Sequence, residues 1–156
     1  MAGLEISFTL NGATRRATVS PNRLLLDFLR EDEGLTAAKR SCEVQVCGAC
    51  TVLLDGLPVS GCCTLAAEAD GRAVLTLEGL AELPEFPPLE RAFTERAALH
   101  CGFCTPGLLL TVHSLLRSGD LADAGSLRRN LAGNLCRCTG YKAILEAVSE
   151  LAGART

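Results

Sequence analysis

Hydrophobic and polar residues alternate in the first half of the chain, as they do in strands that are buried on one side. Residues 4–10 carry leucine, isoleucine, phenylalanine and leucine at every second position, which predicts a half-buried strand. Asn11-Gly12 follows and is typical of a tight hairpin turn. Residues 13–19 are therefore predicted to form the returning strand.

A second hairpin and a short helix complete the predicted elements of this half. Residues 51–54 and 57–60 flank Asp55-Gly56, a turn of the same type, and residues 73–77 predict one more strand. Between the hairpins, Ser20-Pro21 predicts a helix start, with serine as the N-cap and proline at the first helical position. The apolar face of this helix is predicted to hold Leu24, Leu25, Phe28 and Leu29.

The period changes to that of helices beyond residue 88. Residues 106–117 start with proline and are apolar nearly all round, which predicts a buried helix, and residues 141–151 are apolar along one side. Two further stretches repeat apolar residues every four positions: Leu89, Phe93 and Ala97, then Leu127, Leu131 and Leu135. Four helices in about 70 residues predict a small helical bundle.

Prolines divide the two halves. Three of the six lie between residues 84 and 88, and proline cannot continue the interior of a helix or a central strand. We therefore predict a β-rich domain over residues 1–80, a Pro-rich linker over 81–88 and a helical domain over 89–156. The expected fold class is α+β.

Composition narrows the function classes. The chain has 156 residues and a formal net charge of −3, which argues against a nucleic-acid partner. No apolar run approaches the ~18 residues of a membrane span, and the amino terminus lacks a basic-then-apolar signal peptide. The expected compartment is the cytoplasm, where cysteines at this density are more often metal ligands than disulfides.

Eight of the nine cysteines fall into two sets of four. The two spacings are Cys42-x4-Cys47-x2-Cys50-x11-Cys62 and Cys101-x2-Cys104-x31-Cys136-x-Cys138. The first three cysteines have the plant-ferredoxin spacing for a [2Fe–2S] cluster, which needs two thiolates on each iron. Two such sets in one chain predict paired clusters and electron transfer.

Local sequence around each set supports this interpretation. In the first set, the small Gly48 and Ala49 let the backbone approach a cluster and direct N–H groups at sulfur, and the turn at Asp55-Gly56 returns the chain toward the fourth cysteine. In the second set, each cysteine pair leads into a predicted helix, whose positive end favours the thiolate. We expect the second site to be buried more deeply than the first.

Other interpretations of the cysteines have less support. Zinc also takes four thiolates, but zinc ribbons usually pair two Cys-x2-Cys units about 15–20 residues apart, and neither set has that form. Disulfides suit a secreted chain better. Cys63 is left over, and we expect a small buried hydrophobe, although either Cys62 or Cys63 remains open as the fourth ligand.

The motifs CGACTVLLDG at 47–56, CGFCTPG at 101–107 and NLCRCTGY at 134–141 resemble those of a known family. Together with the approach from Val59 to Cys62, they are similar to the small iron–sulfur subunit of the xanthine oxidase family of molybdenum hydroxylases. The resemblance covers nearly the whole chain and includes the order of the two sets. It implies an N-terminal β-grasp domain like that of plant ferredoxins, followed by a C-terminal four-helix bundle domain.

The resemblance also implies cofactors and partners. The chain would hold two [2Fe–2S] clusters and no substrate site. It would pass electrons from a molybdopterin-type molybdenum cofactor in a large subunit, through the second cluster and then the first, to FAD in a medium subunit. A dimer of heterotrimers is the expected assembly. The alternative function is a free-standing two-cluster carrier or redox-sensing module, for which we would expect a strongly charged docking face.

Two positions are implied to lie against the pterin. Cys138 matches the family cysteine beside the pterin's amino group. His100 stands where the family usually has a glutamine that bonds the pterin, and an imidazole titrates near neutral pH whereas an amide does not. The alternative for His100 is a partly solvated loop histidine.

Three further features need interpretation. The family favours glycines before and inside the first cysteine loop, but here Ser41 precedes Cys42 and residues 43–46 contain no glycine, so we expect either tolerated or strained φ values there. His113 lies among leucines and is predicted to be a packed core histidine. Arg15-Arg16 and Arg128-Arg129 are predicted to be solvated faces or subunit contacts.

Overall fold

A mixed sheet organises the first half of the molecule. The structure, a computed structural model, describes residues 3–120 and 124–153, and within them five strands form one sheet in the order β2-β1-β5-β3-β4. β1 and β5 are parallel, and every other neighbouring pair is antiparallel. The strands are β1 (Leu4–Leu10), β2 (Ala13–Val19), β3 (Thr51–Leu54), β4 (Leu57–Ser60) and β5 (Ala73–Leu75).

Both predicted hairpins are confirmed. Asn11 and Gly12 have φ angles of 50° and 82°, and Asp55 and Gly56 have 50° and 81°. Two consecutive positive φ angles are those of a type I′ turn, which matches the twist of the strands it joins. The alternation in β1 is confirmed for Ile6, Phe8 and Leu10, which are buried, whereas Leu4 at the strand's start is 43% exposed.

Six α-helices follow or interrupt the strands in the described residues. The four helices predicted beyond residue 88 appear, and α2 and a short 3₁₀ turn at Ala66–Ala69 were not predicted. The helices are α1 (Leu25–Asp27), which continues as a π-helical turn (Phe28–Asp32), α2 (Leu77–Ala81), α3 (Phe86–Glu95), α4 (Thr105–Ser118), α5 (Ala124–Asn130) and α6 (Lys142–Gly153).

Two predicted boundaries are wrong, one because of a long-range contact and one because of a neighbouring helix. The helix predicted at Ser20-Pro21 begins only at Leu25, because Leu24 forms an extended bridge with Leu65 and cannot be helical as well. The strand predicted over 73–77 ends at Leu75, because Thr76 is already the N-cap of α2.

The proline stretch behaves differently from a bare linker. Helix α3 begins at Phe86, so Pro87 and Pro88 lie in its first turn. Proline is tolerated there because the first N–H groups of a helix have no partner within the helix. The last three residues of the predicted 81–88 linker are therefore helical, while the domain bounds themselves stay a prediction.

Two hydrophobic cores lie on opposite faces of the sheet. Val52 and Leu54 of β3 point into the first core with α1, and Leu53 between them points into the second core with α3, α4 and α6. All four residues of β3 are buried, as expected of a strand covered on both faces. The helical half therefore packs directly on the sheet.

The prediction of a packed core histidine is confirmed for His113, which lies in α4 and is only 3% exposed.

Among the described residues, no helix combines the length and the apolar character that a membrane crossing requires.

Candidate metal centres

The first cysteine set lies between the π-helical turn and the sheet. Cys42, Cys47 and Cys50 follow one another in the loop that enters β3, and Cys62 comes directly after β4. Cys50 and Cys62 are only 2% and 5% exposed, whereas Cys42 and Cys47 are half-buried. The hairpin turn between β3 and β4 thus returns the fourth cysteine to the loop, as predicted.

Backbone N–H groups point at the outer sulfur of this site. Val46 N and Cys47 N each lie 3.4 Å from Cys42 Sγ. Hydrogen bonds from the backbone of Val44, Val46 and Cys47 lower the pKa of Cys42 to about 6. A thiolate is the form that binds iron, so this part of the loop is arranged for a bound anionic sulfur.

Burial has the opposite effect on the inner thiol. Removal from water raises the pKa of Cys50 to about 12, and the nearby thiol of Cys62 adds to this rise. A buried thiolate is costly without a compensating cation, and a bound iron ion would supply that charge. The four thiols therefore approach as an outer pair, Cys42 with Cys47, and an inner pair, Cys50 with Cys62.

The loop between Cys42 and Cys47, which contains no glycine, has a strained backbone at two residues. Glu43 and Gln45 both have φ of 58°, a left-handed conformation that costs a non-glycine residue about 1 kcal/mol. Arg40 pairs with Glu43 at 2.6 Å and with Asp27, so an ion-pair cluster on the surface holds the start of the loop.

The prediction for Cys63 is wrong. Its side chain is exposed rather than buried, because the chain turns outward after Cys62. The sulfurs of Cys62 and Cys63 are nevertheless 3.7 Å apart. Cys62 is buried beside Cys50, and this placement favours Cys62 as the fourth ligand.

The second cysteine set brings together two distant loops. Cys104 is the N-cap of α4, and Cys136 and Cys138 precede α6. Cys138 Sγ lies 3.7 Å from Cys101 Sγ, and the thiols of Cys104 and Cys136 also interact. The four thiols therefore also form two pairs, Cys101 with Cys138 and Cys104 with Cys136. Each pair takes one cysteine from each loop.

The second site is not the more deeply buried one, contrary to prediction. Cys101 and Cys138 are exposed and Cys104 and Cys136 are half-buried, because the two loops lie at the surface ends of α4 and α6. At Cys104, desolvation outweighs the expected effect of the helix start and raises the pKa of the thiol to about 12. At Cys136, burial raises the pKa of the thiol. Hydrogen bonds from the Thr139 hydroxyl and from nearby N–H groups lower it by more, so the net shift is downward.

Small polar side chains hold the second loop in shape, and the sequence pattern did not reveal them. Thr139 Oγ1 donates to Cys136 Sγ at 3.1 Å. The Tyr141 hydroxyl accepts the Cys136 N–H and donates to the Asn134 carbonyl, both at 2.8 Å. The only available signal was the motif NLCRCTGY, in which these residues surround the cysteines.

The two cysteine loops touch each other. Leu135 N donates to Cys47 O at 2.8 Å, and the buried Asn134 donates through Nδ2 to Gly48 O at 3.2 Å. Gly48 has φ of 70°, and a Cβ there would lie 2.3 Å from Gly133 O. Gly48 was predicted to let the backbone approach a cluster. Its lack of a side chain also lets the second cysteine loop approach the first.

The donor chemistry of both sites fits [2Fe–2S] clusters. In residues 3–120 and 124–153, no group of three or more His, Cys, Asp and Glu side chains has the geometry of a single-ion site. The thiols meet in pairs instead, and each iron of a [2Fe–2S] cluster takes two thiolates. N–H groups and a hydroxyl directed at sulfur provide the donors that such clusters accept.

The remaining predicted positions lie at the surface. His100 is exposed and directly precedes Cys101. Arg15 pairs with Glu33 at 3.2 Å, and Arg16, Arg128 and Arg129 are exposed. Their role as solvated faces or subunit contacts stays a prediction.

Comparison with known proteins finds two family models along this chain. Residues 8–76 match the family model of a 2Fe-2S iron-sulfur cluster binding domain, and residues 76–149 match that of a [2Fe-2S] binding domain. The nicotinate dehydrogenase small FeS subunit of Eubacterium barkeri is 45% identical over 148 residues, which span 95% of this chain and 94% of the relative. Each matched range contains one of the two cysteine sets.

Two further relatives cover the chain as completely. The xanthine dehydrogenase iron-sulfur-binding subunit of Escherichia coli O157:H7 is 42% identical over 148 residues, 93% of this chain and 92% of the relative. A chain of quinoline 2-oxidoreductase from Pseudomonas putida 86 superposes with a TM-score of 0.91 at 42% identity, over 99% of this chain and 96% of that one. The chain belongs to the small [2Fe–2S] iron–sulfur subunits of the xanthine oxidase family of molybdenum hydroxylases, and its function is electron transfer.

Proposed function

We propose that two named sets of cysteines bind the two clusters and that electrons cross from the second set to the first within this chain. The sets are Cys42, Cys47, Cys50 and Cys62 for the first cluster, and Cys101, Cys104, Cys136 and Cys138 for the second. A bound [2Fe–2S] cluster supplies a one-electron redox centre. The protein's part is to hold the thiolates, direct N–H groups at them and fix the distance between the sites.

The contact between the loops carries this proposal. Leu135 N–H donates to Cys47 O at 2.8 Å, and Leu135 is the residue before Cys136. One hydrogen bond and one residue therefore connect a ligand of the first set with a ligand of the second. The contact is closely packed, because Gly48 and Gly107 lack the Cβ atoms that would collide there.

We propose that each site faces a different partner subunit. Apolar side chains next to the first site are exposed, with Val44 at 65% and Val46 at 57%. Phe103 beside the second site is 45% exposed, and Leu135 is 51% exposed. Exposed apolar residues around a redox site suit a lasting interface better than a transient one. By analogy with the family, the second site faces a large molybdopterin-binding subunit and the first a medium FAD-binding subunit.

The finer assignments belong to the same proposal. Residues 1–80 form the ferredoxin-like β-grasp domain, 81–88 the linker and 89–156 the four-helix bundle domain, with α3 to α6 sharing the second core. The assembly is a dimer of heterotrimers. It works in the cytoplasm, where a reducing environment keeps unpaired cysteines available as ligands.

His100 and Cys138 are proposed to contact the pterin. Both are exposed at the second site, where a partner can cover them. His100→Ala should slow internal electron transfer because it removes the side chain that contacts the pterin, and an unchanged rate would count against the contact.

Low-temperature EPR of the dithionite-reduced native complex tests the proposal, with iron, molybdenum and flavin measured in the same sample. Two distinct [2Fe–2S] signals together with molybdenum and flavin are the expected result. Two signals without molybdenum or flavin would favour a free carrier. A colourless, zinc-rich sample without signals would contradict the cluster assignment itself.

A further inference from the structure

The hydroxyl of Tyr141 makes hydrogen bonds to both ends of one short peptide segment at the second site. It accepts the Cys136 N–H at 2.8 Å and donates to Asn134 O at 2.8 Å. The segment it holds, residues 134–136, contains one proposed ligand and the residue that contacts the first cysteine loop. A single side chain thus fixes the orientation of two peptide groups between the proposed clusters.

The backbone of Tyr141 is strained in the conformation from which this hydroxyl makes both hydrogen bonds. Tyr141 has φ of 67°, and a left-handed conformation is an outlier for a bulky residue. Strain of this kind persists where the surroundings require it, often at functional sites. The ring is also held by packing against the second core, so the hydroxyl has little freedom to move.

The direction of the Cys136 N–H distinguishes the second site from the first. At the first site, the N–H groups of Val46 and Cys47 point at Cys42 Sγ. At the second site, the Cys136 N–H points at the phenol oxygen instead. Hydrogen bonds to cluster sulfurs help to set the reduction potential, because they stabilise the more negative, reduced state.

We propose that Tyr141 is a positioning residue that diverts the Cys136 N–H from the second cluster and thereby keeps the potential of that cluster low. This inference rests on the proposed ligand set. The same hydroxyl holds Asn134, whose side chain bonds Gly48 O at 3.2 Å and accepts from Thr111 Oγ1 at 2.9 Å. Tyr141 therefore also stabilises the contact between the two loops.

Tyr141→Phe tests the proposal because it removes the hydroxyl and keeps the ring. The full chain carrying both clusters would be titrated potentiometrically, with each EPR signal followed separately. The potential of the second cluster should rise, while that of the first should not move. Ser118→Ala is the matched control, since it removes another hydroxyl that bonds a carbonyl, Leu115 O at 3.2 Å, at the far end of α4.

A second variant guards against misfolding. Tyr141 is the only tyrosine in the chain, so growth on 3-fluorotyrosine changes this hydroxyl alone. The fluorinated phenol is a weaker acceptor with nearly the same shape, and we expect a smaller shift of the second potential in the same direction.

The outcomes separate this inference from the proposed function. A wild-type chain without a second [2Fe–2S] signal would overturn both. Two wild-type signals together with unchanged potentials in both tyrosine variants would overturn the role of Tyr141 alone. Equal shifts of both potentials would also overturn it, because they would indicate general loosening of the chain.

Discussion

The two cysteine sites of this molecule use different means to hold the same number of thiols. At the first site Cys50 and Cys62 belong to the first hydrophobic core and are 2% and 5% exposed. At the second site Cys101 and Cys138 are exposed at the ends of two helices. At the first site two of the four thiols are buried and two are half-buried, whereas at the second site two are half-buried and two are exposed.

The difference follows from the elements that carry the ligands. A hairpin between β3 and β4 brings Cys62 back beneath the first loop, and the β3 strand is covered on both faces. Helix starts present their first residues at the end of a helix, where few neighbours surround them. The second loop is held instead by hydroxyl groups, those of Thr139 and Tyr141. Strained backbone occurs at both sites, at Glu43 and Gln45 near the first and at Tyr141 near the second, so the sites differ in the burial of their thiols and in the hydroxyl groups that hold the second loop.

Removal of a proposed ligand at the first site should have the largest effect. Cys62→Ala should abolish the EPR signal of the first cluster and about half of the bound iron, because Cys62 pairs with Cys50 in the interior. Cys63→Ala is the matched control, since its thiol is exposed, and it should keep both signals. Iron analysis and EPR on the two variants decide which neighbouring cysteine is the ligand. Loss of the first cluster in the Cys63 variant instead would reverse the assignment.

Disruption of the contact between the two cysteine loops should have the second-largest effect. Gly48→Ala forces a left-handed alanine and places its Cβ 2.3 Å from Gly133 O, so strain and overpacking together should cost about 2–4 kcal/mol. Gly56→Ala has a similar φ of 81° but nothing within 4 Å of its Cβ, so strain alone should cost about 1 kcal/mol. Denaturant unfolding measures both losses. Equal losses would show that the second loop moves aside easily and that the contact is loose.

Strain in the first loop gives a smaller effect with the opposite sign. Gln45 has φ of 58°, so Gln45→Gly should stabilise the chain by up to about 1 kcal/mol. Gln45→Ala keeps the strain and should leave stability nearly unchanged. Thermal unfolding of the cluster-loaded chain compares the three proteins. A destabilised glycine variant would indicate that contacts of the Gln45 side chain outweigh the backbone strain.

The sequence predicted the hairpins of the sheet and the grouping of the cysteines better than their surroundings. Alternation and the two turns, Asn11-Gly12 and Asp55-Gly56, are local signals, and both hairpins appear in the expected register. The cysteine pairs also meet as their spacing suggests. Helix starts were less predictable, because the extended bridge of Leu24 with Leu65 is a long-range contact that overrides the local signal at Ser20-Pro21.

Burial of the sites depended on tertiary contacts that no local pattern contains. The second site was expected to be deeper because helices lead away from it, yet their starts lie at the surface. Asn134 reads as an ordinary polar residue, although it is only 5% exposed and joins loops that are 86 positions apart. Such a residue can be found from the sequence only through its position inside a cysteine motif.

The smallest expected effect concerns the turn that returns the chain to the first site. Asp55 accepts the Ala73 N–H at 2.8 Å and the Arg72 side chain at 2.6 Å, and these contacts hold the pKa of its carboxyl below the usual value. Since folding favours the ionised form, this stabilisation is present above the unfolded pKa of about 4 and is lost as pH falls through the lower folded value.

Asp55→Asn keeps an acceptor for Ala73 but removes the charge. Its melting temperature should therefore lie slightly below that of the wild type at pH 7, and the difference should shrink as the pH falls below about 4. Glu90→Gln, at an exposed position of α3, provides the control for loss of a surface carboxylate. A difference that stayed constant down to low pH would mean that the charge of Asp55 contributes nothing. The turn would then return Cys62 to the first site through its backbone conformation alone.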